Sequence, residues 1–186
     1  MFVKIKNHFI VMAKAAPREG SLKREDFYMA TALLAEKCSK DPDRQVGAVI
    51  VSTEGRIVSV GYNGFPSGCK KEHSKLSWNK TKDPTTLENK MLYVVHAETN
   101  AILKTTQLNI REATIYTTLY PCNECAKLII TSGIKKVYYL WRKSADKTED
   151  KASERLFEEA GMECKKYNPQ CESDILISFA IPEAGQ

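Results

Sequence analysis

The chain has 186 residues, of which 42% are hydrophobic and 27% charged, and its formal net charge is +5. This composition is typical of a globular domain and excludes fibrous and intrinsically disordered chains. Basic residues alternate with acidic ones along most of the length, so a mixed solvated surface is favoured over a nucleic-acid-binding stripe. The apolar run from Phe9 to Ala13 is far too short to span a bilayer. We therefore expect one catalytic or binding domain with no membrane partner, and a nucleic-acid partner is disfavoured. Two of the six cysteines form a Cys-x-x-Cys pair after a proline, which fits metal-bound thiolates in a reducing compartment, so we expect a cytoplasmic location.

The predicted elements alternate between helices and strands. In chain order they are helix 24–39, strands 46–51 and 57–62, helix 96–106, strand 113–118, helix 121–133, strand 137–141, helix 150–160 and strand 163–167. The expected apolar face of the first helix consists of Phe27, Ala30, Leu33, Leu34 and Cys38, and Ser21 is its candidate cap. The first two strands predict an antiparallel hairpin, and the later strands, separated by helices, predict parallel pairing. A mixed α/β sheet covered by helices follows.

The chain divides into three expected parts. Residues 1–22 form an N-terminal extension that we expect to be poorly ordered, residues 23–170 form the domain, and residues 171–186 form a C-terminal tail. Within the domain, the stretch from Asn63 to Tyr93 is longer than a connection in a compact fold requires. A functional ordered loop and a disordered insertion both remain open for it.

Two short segments carry residues suited to metal chemistry, His96-Ala97-Glu98 and Pro121-Cys122-Asn123-Glu124-Cys125. Each is weak alone, because a Cys-x-x-Cys pair also occurs in redox sites, in structural zinc sites and as two buried thiols. Together they match the His-x-Glu and Pro-Cys-x-x-Cys signature of zinc nucleobase deaminases. We expect a helix to open at Pro121, so that both cysteines lie on one face of its first turn, where the helix dipole favours thiolates.

The donor count indicates a catalytic rather than a structural ion. His96, Cys122 and Cys125 supply three protein ligands to one Zn²⁺, and a fourth position stays open for water. Glu98 is the expected catalytic group, which takes a proton from the attacking water and delivers protons to N3 of a cytosine base and to the leaving amine. A carboxylate that only stabilises the helix dipole is the simpler alternative for Glu98.

Further segments resemble the deoxycytidylate deaminases of the cytidine deaminase superfamily. They are Ser39-Lys40-Asp41-Pro42, Gln45-Val46-Gly47-Ala48, Gly61-Tyr62-Asn63-Gly64-Phe65-Pro66 and the run from Asn123 to Ile130. The resemblance covers roughly Lys23 to Tyr167 and implies a three-layer α/β/α sandwich with a five-stranded mixed sheet. It also implies hydrolysis of dCMP to dUMP for thymidylate synthesis, activation by dCTP with Mg²⁺, inhibition by dTTP and a homo-oligomer, preferably a hexamer.

The same resemblance implies substrate contacts at Asn63, Ala97 and Tyr120, with Asn63 bonding the sugar or the base. For Asn63 a turn-forming role is the alternative, and for Tyr120 a core role. Lysines are candidates for phosphate or effector contacts, with a solvated basic surface as the alternative: Lys70, Lys71, Lys104 and Lys143. Some members of the family hold a second, structural zinc ion. In this chain Cys38, Cys69 and His73 supply only three ligands at irregular spacing, which do not complete the tetrahedral shell of a structural zinc, so we expect one ion.

Two other functions remain open. A deaminase for another cytosine or purine substrate, such as a nucleoside, a tRNA or single-stranded nucleic acid, would keep the same zinc chemistry. A zinc-stabilised binding module without activity would leave Glu98 without a role.

Overall fold

The computed structural model describes residues 20–69, 75–83, 85–105, 109–171, 174–175 and 177. Most of the expected N-terminal extension and of the C-terminal tail lies outside these residues, as do Lys70, Lys71 and His73. Within the described part of the chain, no helix is long and apolar enough to cross a membrane.

The described residues form four α-helices, five strands and one short 3-10 helix. In chain order they are α1 (Arg24–Glu36), β1 (Gly47–Val51), β2 (Ile57–Tyr62), the 3-10 helix (Lys90–Leu92), α2 (Ala97–Leu103), β3 (Thr114–Leu119), α3 (Asn123–Thr131), β4 (Lys136–Trp141), α4 (Thr148–Glu159) and β5 (Glu163–Lys166). Every helix and strand predicted from the sequence is present, with ends that differ by a few residues. The 3-10 helix inside the long loop was not predicted.

The strands form one mixed sheet in the order β2-β1-β3-β4-β5. β1 is antiparallel to both β2 and β3, whereas β3, β4 and β5 are parallel to one another. The predicted hairpin and the predicted parallel half are therefore confirmed. All five residues of β1 are buried, because helices cover both faces of the sheet.

The helices lie in two layers. α1 covers one face, where Tyr28 and Met29 pack with Val49 of β1. α2, α3 and α4 cover the other face, where Ile129 and Phe157 belong to a larger core. This arrangement confirms the three-layer α/β/α sandwich.

The predicted apolar face of the first helix is wrong at three positions, because Phe27, Leu34 and Cys38 are exposed. Phe27 and Leu34 are 50% and 51% exposed, whereas the small residues Ala32 and Ala35 are buried. A Cβ atom on Gly47 of β1 would overlap the backbone of α1 at Ala32. Because helix and strand backbones approach this closely at Gly47, only a small residue such as Ala32 fits at that contact, whereas Tyr28 and Met29 pack on Val49 and Phe27 and Leu34 face solvent.

The start of α1 also differs from the prediction. Its N-cap is Lys23 rather than Ser21, and no side chain caps the helix. Asp26 in the first turn is buried and accepts hydrogen bonds from the Tyr167 hydroxyl at 2.5 Å and from the Gln170 backbone amide at 2.9 Å. An acidic residue that sequence reasoning treats as a surface carboxylate thus anchors the end of the domain to its first helix.

Candidate active site

The candidate site lies at one edge of the sheet, which the strand registers define. Gly47, the first residue of β1, pairs with Tyr62, the last residue of β2. Ala48 pairs with Thr117 of β3, and Leu119 pairs with Trp141 at the end of β4. The start of β1 and the ends of β2, β3 and β4 therefore share this edge, and the chain enters the Cys122 segment directly after β3.

The helix α2 brings His96 and Glu98 to the site. His96 is the N-cap of α2, and Glu98 lies in the first turn. The helix rests directly on β2, because Gly61 has no side chain and faces the backbones of Ala97 and Ala101. Both alanines are fully buried in this contact.

The helix α3 supplies both cysteines, although not as predicted in detail. The helix starts at Asn123 with Cys122 as its extended N-cap, so Pro121 precedes the cap and does not open the helix. Cys122 and Cys125 therefore occupy the N-cap and the third helical position. In this arrangement both thiols still point to one side of the helix start, close to the unpaired amides of the first turn.

The three donor atoms are arranged as a shared zinc ion requires. His96 Nδ1 lies 3.3 Å from Cys125 Sγ and 3.4 Å from Cys122 Sγ. All three donor atoms lie within 4.8 Å of one another. With tetrahedral angles and usual zinc–ligand bond lengths, the N···S separation is about 3.5 Å. The donor set therefore fits zinc, and these three residues could hold the ion.

No second cluster of this kind occurs among the described residues. Cys38 and Cys69 are exposed free thiols, and His73 lies outside the described part of the chain.

The charges of the three donors differ in the metal-free protein. A hydrogen bond from Cys125 and the neighbouring His96 lower the pKa of Cys122 to about 4. The hydrogen bond to Cys122 raises the pKa of His96 to about 9, whereas the pKa of Cys125 is raised by its hydrogen bond with Cys122 and by burial. These pKa directions favour a thiolate at Cys122 paired with a protonated His96, and a thiol at Cys125, in the metal-free protein.

Glu98 lies beside these donors and is only 4% exposed. One carboxylate oxygen lies 3.5 Å from Cys125 Sγ, and the other lies 3.4 Å from the Thr117 hydroxyl. Burial raises the pKa of Glu98. A carboxyl group with a raised pKa is better suited to accept and return protons near neutral pH than an exposed glutamate is.

Two of the predicted substrate contacts have structural partners. The Asn63 amide bonds both sides of the segment before β1: its Oδ1 accepts from the Val46 amide at 2.8 Å, and its Nδ2 donates to the Arg44 carbonyl at 2.9 Å. Tyr120 is buried, with the Arg142 guanidinium 4.1 Å over its ring. Both side chains lie at the site's edge of the sheet, and their contact with substrate stays a prediction, as does that of Ala97.

The predicted lysines are not gathered at one place. Lys104 is the C-cap of α2, so it lies at the opposite end of the helix from His96, about 12 Å away at the usual rise per residue. Its ammonium group lies 5.5 Å from the Tyr62 ring. Lys143 follows β4 at the same sheet edge as Cys122, and Lys70 and Lys71 lie outside the described residues.

Sequence reasoning missed two buried residues near the site. Ser153 of α4 donates to the carbonyl of Pro121 at 2.8 Å and so fixes the backbone before Cys122. Lys90 of the long loop lies 2.5 Å from Asp41 and is 2% exposed. No local pattern marks either residue, although the Asp41-Pro42-Asp43 segment could have suggested an ionic partner.

Comparison with known proteins identifies the family. Residues 22–141 match the family model for the cytidine and deoxycytidylate deaminase zinc-binding region. This chain belongs to that family. His96, Cys122 and Cys125 lie within the matched residues, which is consistent with a zinc site at this cluster.

Individual members of the cytidine and deoxycytidylate deaminase family resemble the chain over most of its length. A Drosophila melanogaster protein named probable deoxycytidylate deaminase is 48% identical over 173 residues, which cover 89% of this chain and 83% of that protein. The Homo sapiens deoxycytidylate deaminase is 43% identical over 162 residues, 87% of this chain and 89% of its own. A crystal structure of the cyanophage S-TIM5 dCMP deaminase with dCMP and dUMP superposes with a TM-score of 0.57 at 29% identity, over 77% of this chain and 96% of that one.

Proposed function

We propose that this protein is a zinc-dependent hydrolase that converts dCMP and water to dUMP and ammonia, supplying dUMP for thymidylate synthesis. The observation that carries the proposal is a buried glutamate, Glu98, directly beside a three-donor metal cluster. A purely structural zinc site has four protein ligands and no use for such a carboxyl group. The choice of dCMP is supported by the names of the relatives, since the Homo sapiens protein is named deoxycytidylate deaminase and the Drosophila melanogaster protein probable deoxycytidylate deaminase.

In this proposal His96, Cys122 and Cys125 hold the ion. Bound zinc supplies Lewis acidity and makes water nucleophilic at neutral pH. Ser153 holds the Pro121 carbonyl, and thereby the N-cap that presents Cys122. The contact of α2 with Gly61 fixes the position of His96.

Glu98 moves the protons of the reaction. Its carboxylate accepts a proton released when water attacks C4 of the cytosine ring and donates a proton to N3 of the base. The same carboxyl group then passes a second proton to the departing amine, so that ammonia and the uracil base result. Glu98 is suited to this work because burial raises its pKa and excludes bulk water from the transfer.

The finer parts of the proposal rest on the family resemblance rather than on geometry. They are activation by dCTP with Mg²⁺, inhibition by dTTP, a hexameric assembly and a cytoplasmic location. Each is tested separately from the chemistry, by adding the nucleotides to the assay, by sedimentation and by cell fractionation.

The variant Glu98→Gln tests the proposed role of this residue. We expect turnover of dCMP to fall by at least about 100-fold, as is usual when a general acid–base group is lost, with an unchanged zinc content. Glu124→Gln is the matched control, since Glu124 lies between the two cysteines but is exposed and paired with Lys127. Full activity of Glu98→Gln would exclude the mechanism, and loss of activity in both variants would show a general effect of removing a carboxylate.

A substrate panel tests the choice of dCMP. The ultraviolet change on deamination is followed for dCMP, CMP, deoxycytidine and a short cytosine-containing DNA, with and without dCTP and Mg²⁺. We expect dCMP to be turned over fastest. Turnover of only the nucleoside or the oligonucleotide would retain the zinc chemistry and reject the substrate.

A further inference from the structure

A group of cations lies at the same edge of the sheet as the metal donors. We call it the cationic cluster; it consists of Arg44, Lys80, Lys143 and Lys147. The Arg44 guanidinium lies 4.5 Å over the ring of Trp141, the last residue of β4, and Lys143 follows two residues later. None of the four forms an ion pair with a carboxylate among the described residues.

The members of the cationic cluster are close enough to repel one another. The positive charges of Lys147, Arg44 and Lys80 lower the pKa of Lys143. Like charges that lie close together repel one another, and a bound anion relieves that repulsion. The cluster therefore has the character of a binding site for a compact, multiply charged anion such as a phosphate group.

Arg44 is connected to the metal donors through Asn63. Asn63 Nδ2 donates to the Arg44 carbonyl, and the next residue, Gly64, exchanges backbone hydrogen bonds of 3.0 and 2.8 Å with Val95. Val95 directly precedes His96. Hydrogen bonds therefore link the segment before His96 to Asn63 and to the Arg44 backbone, and the Arg44 side chain extends from there over the ring of Trp141.

A buried ion pair holds the segment that presents Arg44. Lys90 Nζ lies 2.5 Å from Asp41 Oδ1 and 2.5 Å from Asp43 Oδ2. The same Asp41 oxygen accepts hydrogen bonds from the backbone amides of Asp43 at 2.9 Å and of Arg44 at 3.2 Å. Burial by itself would lower the pKa of Lys90, but the hydrogen bonds and charges of the two carboxylates outweigh it and raise that pKa. Lys90 therefore stays charged and fixes the turn that leads into Arg44.

We propose that Arg44 and Lys143 bind the 5′-phosphate of the nucleotide substrate, and that Lys90 is a positioning residue that acts on Arg44 through Asp41. This inference rests on the proposed function. A guanidinium offers a planar pair of donors to phosphate oxygens, and a lysine adds a mobile charge. Lys104 is excluded from this role, because it lies at the far end of α2 from the zinc donors.

The phosphate contact is tested with Arg44→Ala and Lys143→Ala, with Lys151→Ala as the control. Lys151 is an exposed lysine of α4 outside the cationic cluster. Steady-state kinetics are measured with dCMP and deoxycytidine, together with inhibition of dCMP turnover by inorganic phosphate. We expect Arg44→Ala to raise KM for dCMP about 10- to 100-fold, the usual effect of losing a hydrogen bond to a charged group, and to weaken phosphate inhibition in parallel. Its kcat for dCMP and any activity on deoxycytidine should stay within about 3-fold of the wild type.

The outcomes separate this inference from the proposed function. A wild type that deaminates dCMP, with an Arg44→Ala variant whose KM for dCMP and phosphate inhibition are unchanged, would overturn the inference and leave the proposed function intact. An equal loss with dCMP and deoxycytidine would also overturn it, because a phosphate contact cannot affect a nucleoside. A wild type that deaminates neither compound would refute the proposed function and the inference together.

The positioning role is tested with Lys90→Met, Lys90→Arg and Asp41→Asn. We expect Lys90→Met and Asp41→Asn to raise KM for dCMP with little change in kcat, and Lys90→Arg to restore KM at least in part. Asp41→Asn keeps an acceptor for the two backbone amides, so it gives an answer even where Lys90→Met fails to fold. A folded Asp41→Asn protein with wild-type KM for dCMP would show that the ion pair does not act on Arg44.

Discussion

Gly61 is the position at which the fold most directly determines the geometry of the candidate site. A Cβ atom there would overlap the Ala97 carbonyl oxygen and the Ala101 amide nitrogen and would lie 2.9 Å from Ala101 Cα. All three are backbone atoms of α2, so no side-chain rotation can relieve the overlap. The variant Gly61→Ala must therefore push α2, with His96 and Glu98 at its start, away from the sheet.

The size of the effect follows from these contacts. Nonbonded carbon atoms pack at about 3.5–4.0 Å, so α2 has to move by about 1 Å. The 2.6 Å hydrogen bond from the Ser59 hydroxyl to the Ala101 carbonyl lies in the same contact and would be stretched. Overpacking of this kind costs about 1–3 kcal/mol of stability. A 1 Å misplacement of catalytic groups can cost about 100-fold in rate, and we expect a loss of that order in kcat/KM for dCMP.

Two other glycines provide matched controls for Gly61→Ala. A Cβ atom on Gly47 would overlap the Ala32 carbonyl and lie 2.7 Å from the Glu36 amide nitrogen, both in α1, which carries none of the metal donors. A Cβ atom on Gly68 would meet nothing within 4 Å. We measure kcat/KM for dCMP, zinc content and urea unfolding for all three alanine variants.

We expect similar destabilisation in Gly61→Ala and Gly47→Ala, a much larger loss of kcat/KM in the first, and wild-type behaviour in Gly68→Ala. The reasoning would be refuted by a Gly61→Ala variant whose kcat/KM stays within about 3-fold of the wild type, or by an equal catalytic loss in Gly47→Ala.

Two further predictions concern the metal donors. Ser153→Ala leaves the buried Pro121 carbonyl without its hydrogen-bond donor at 2.8 Å. We expect the free energy of unfolding in urea to fall by about 1–3 kcal/mol and the activity to decrease. An unchanged unfolding midpoint would contradict this prediction. Zinc uptake by the metal-free protein at pH 6 should release about two protons. His96 has a pKa of about 9 and Cys125 has a raised pKa, so both must lose a proton when zinc binds. Cys122 has a pKa of about 4 and is already a thiolate at this pH. Zinc affinity should therefore rise as the pH is raised from about 5 toward 9. Calorimetry in buffers of different ionisation enthalpy counts the protons released on zinc binding. Release of one proton or none would show that His96, Cys122 and Cys125 carry other charges in the metal-free protein.

The clustering of His96, Cys122 and Cys125 beside Glu98 could be predicted from the sequence, because the proposed chemistry fixes both the residue types and their spacing. The ligand histidine and the glutamate lie on one turn of a helix, and the two cysteines lie on another, so short-range geometry decides most of the site. The charge state of the donors could not be predicted in the same way. It depends on the distances of 3.3 and 3.4 Å between the His96 nitrogen and the two sulfurs, which only the packing of α2 against α3 determines.

The buried face of α1 could not be predicted from apolar periodicity. Hydrophobicity selects Phe27 and Leu34, but the face of α1 that meets the sheet carries Tyr28 and Met29 together with Ala32, which lies where the helix backbone approaches Gly47. The requirement that competes with hydrophobicity is steric, because the backbone of α1 must approach Gly47 of β1. This strand begins about ten residues after the end of α1 in sequence. Where a glycine lets two backbones touch, the size of the facing residues decides burial before their hydrophobicity does.

The cationic cluster shows why the phosphate contacts are harder to find than the metal donors. Arg44 precedes β1 and Lys143 follows β4, so nearly one hundred residues separate them and no sequence pattern links them. They meet because β1 runs antiparallel to β3 while β4 runs parallel to it, which places the start of one strand beside the ends of the other two. A wholly parallel sheet would place the start of β1, and Arg44 with it, at the edge opposite the metal donors. The reversed direction of β1 is therefore the feature of the fold on which nucleotide recognition by Arg44 depends.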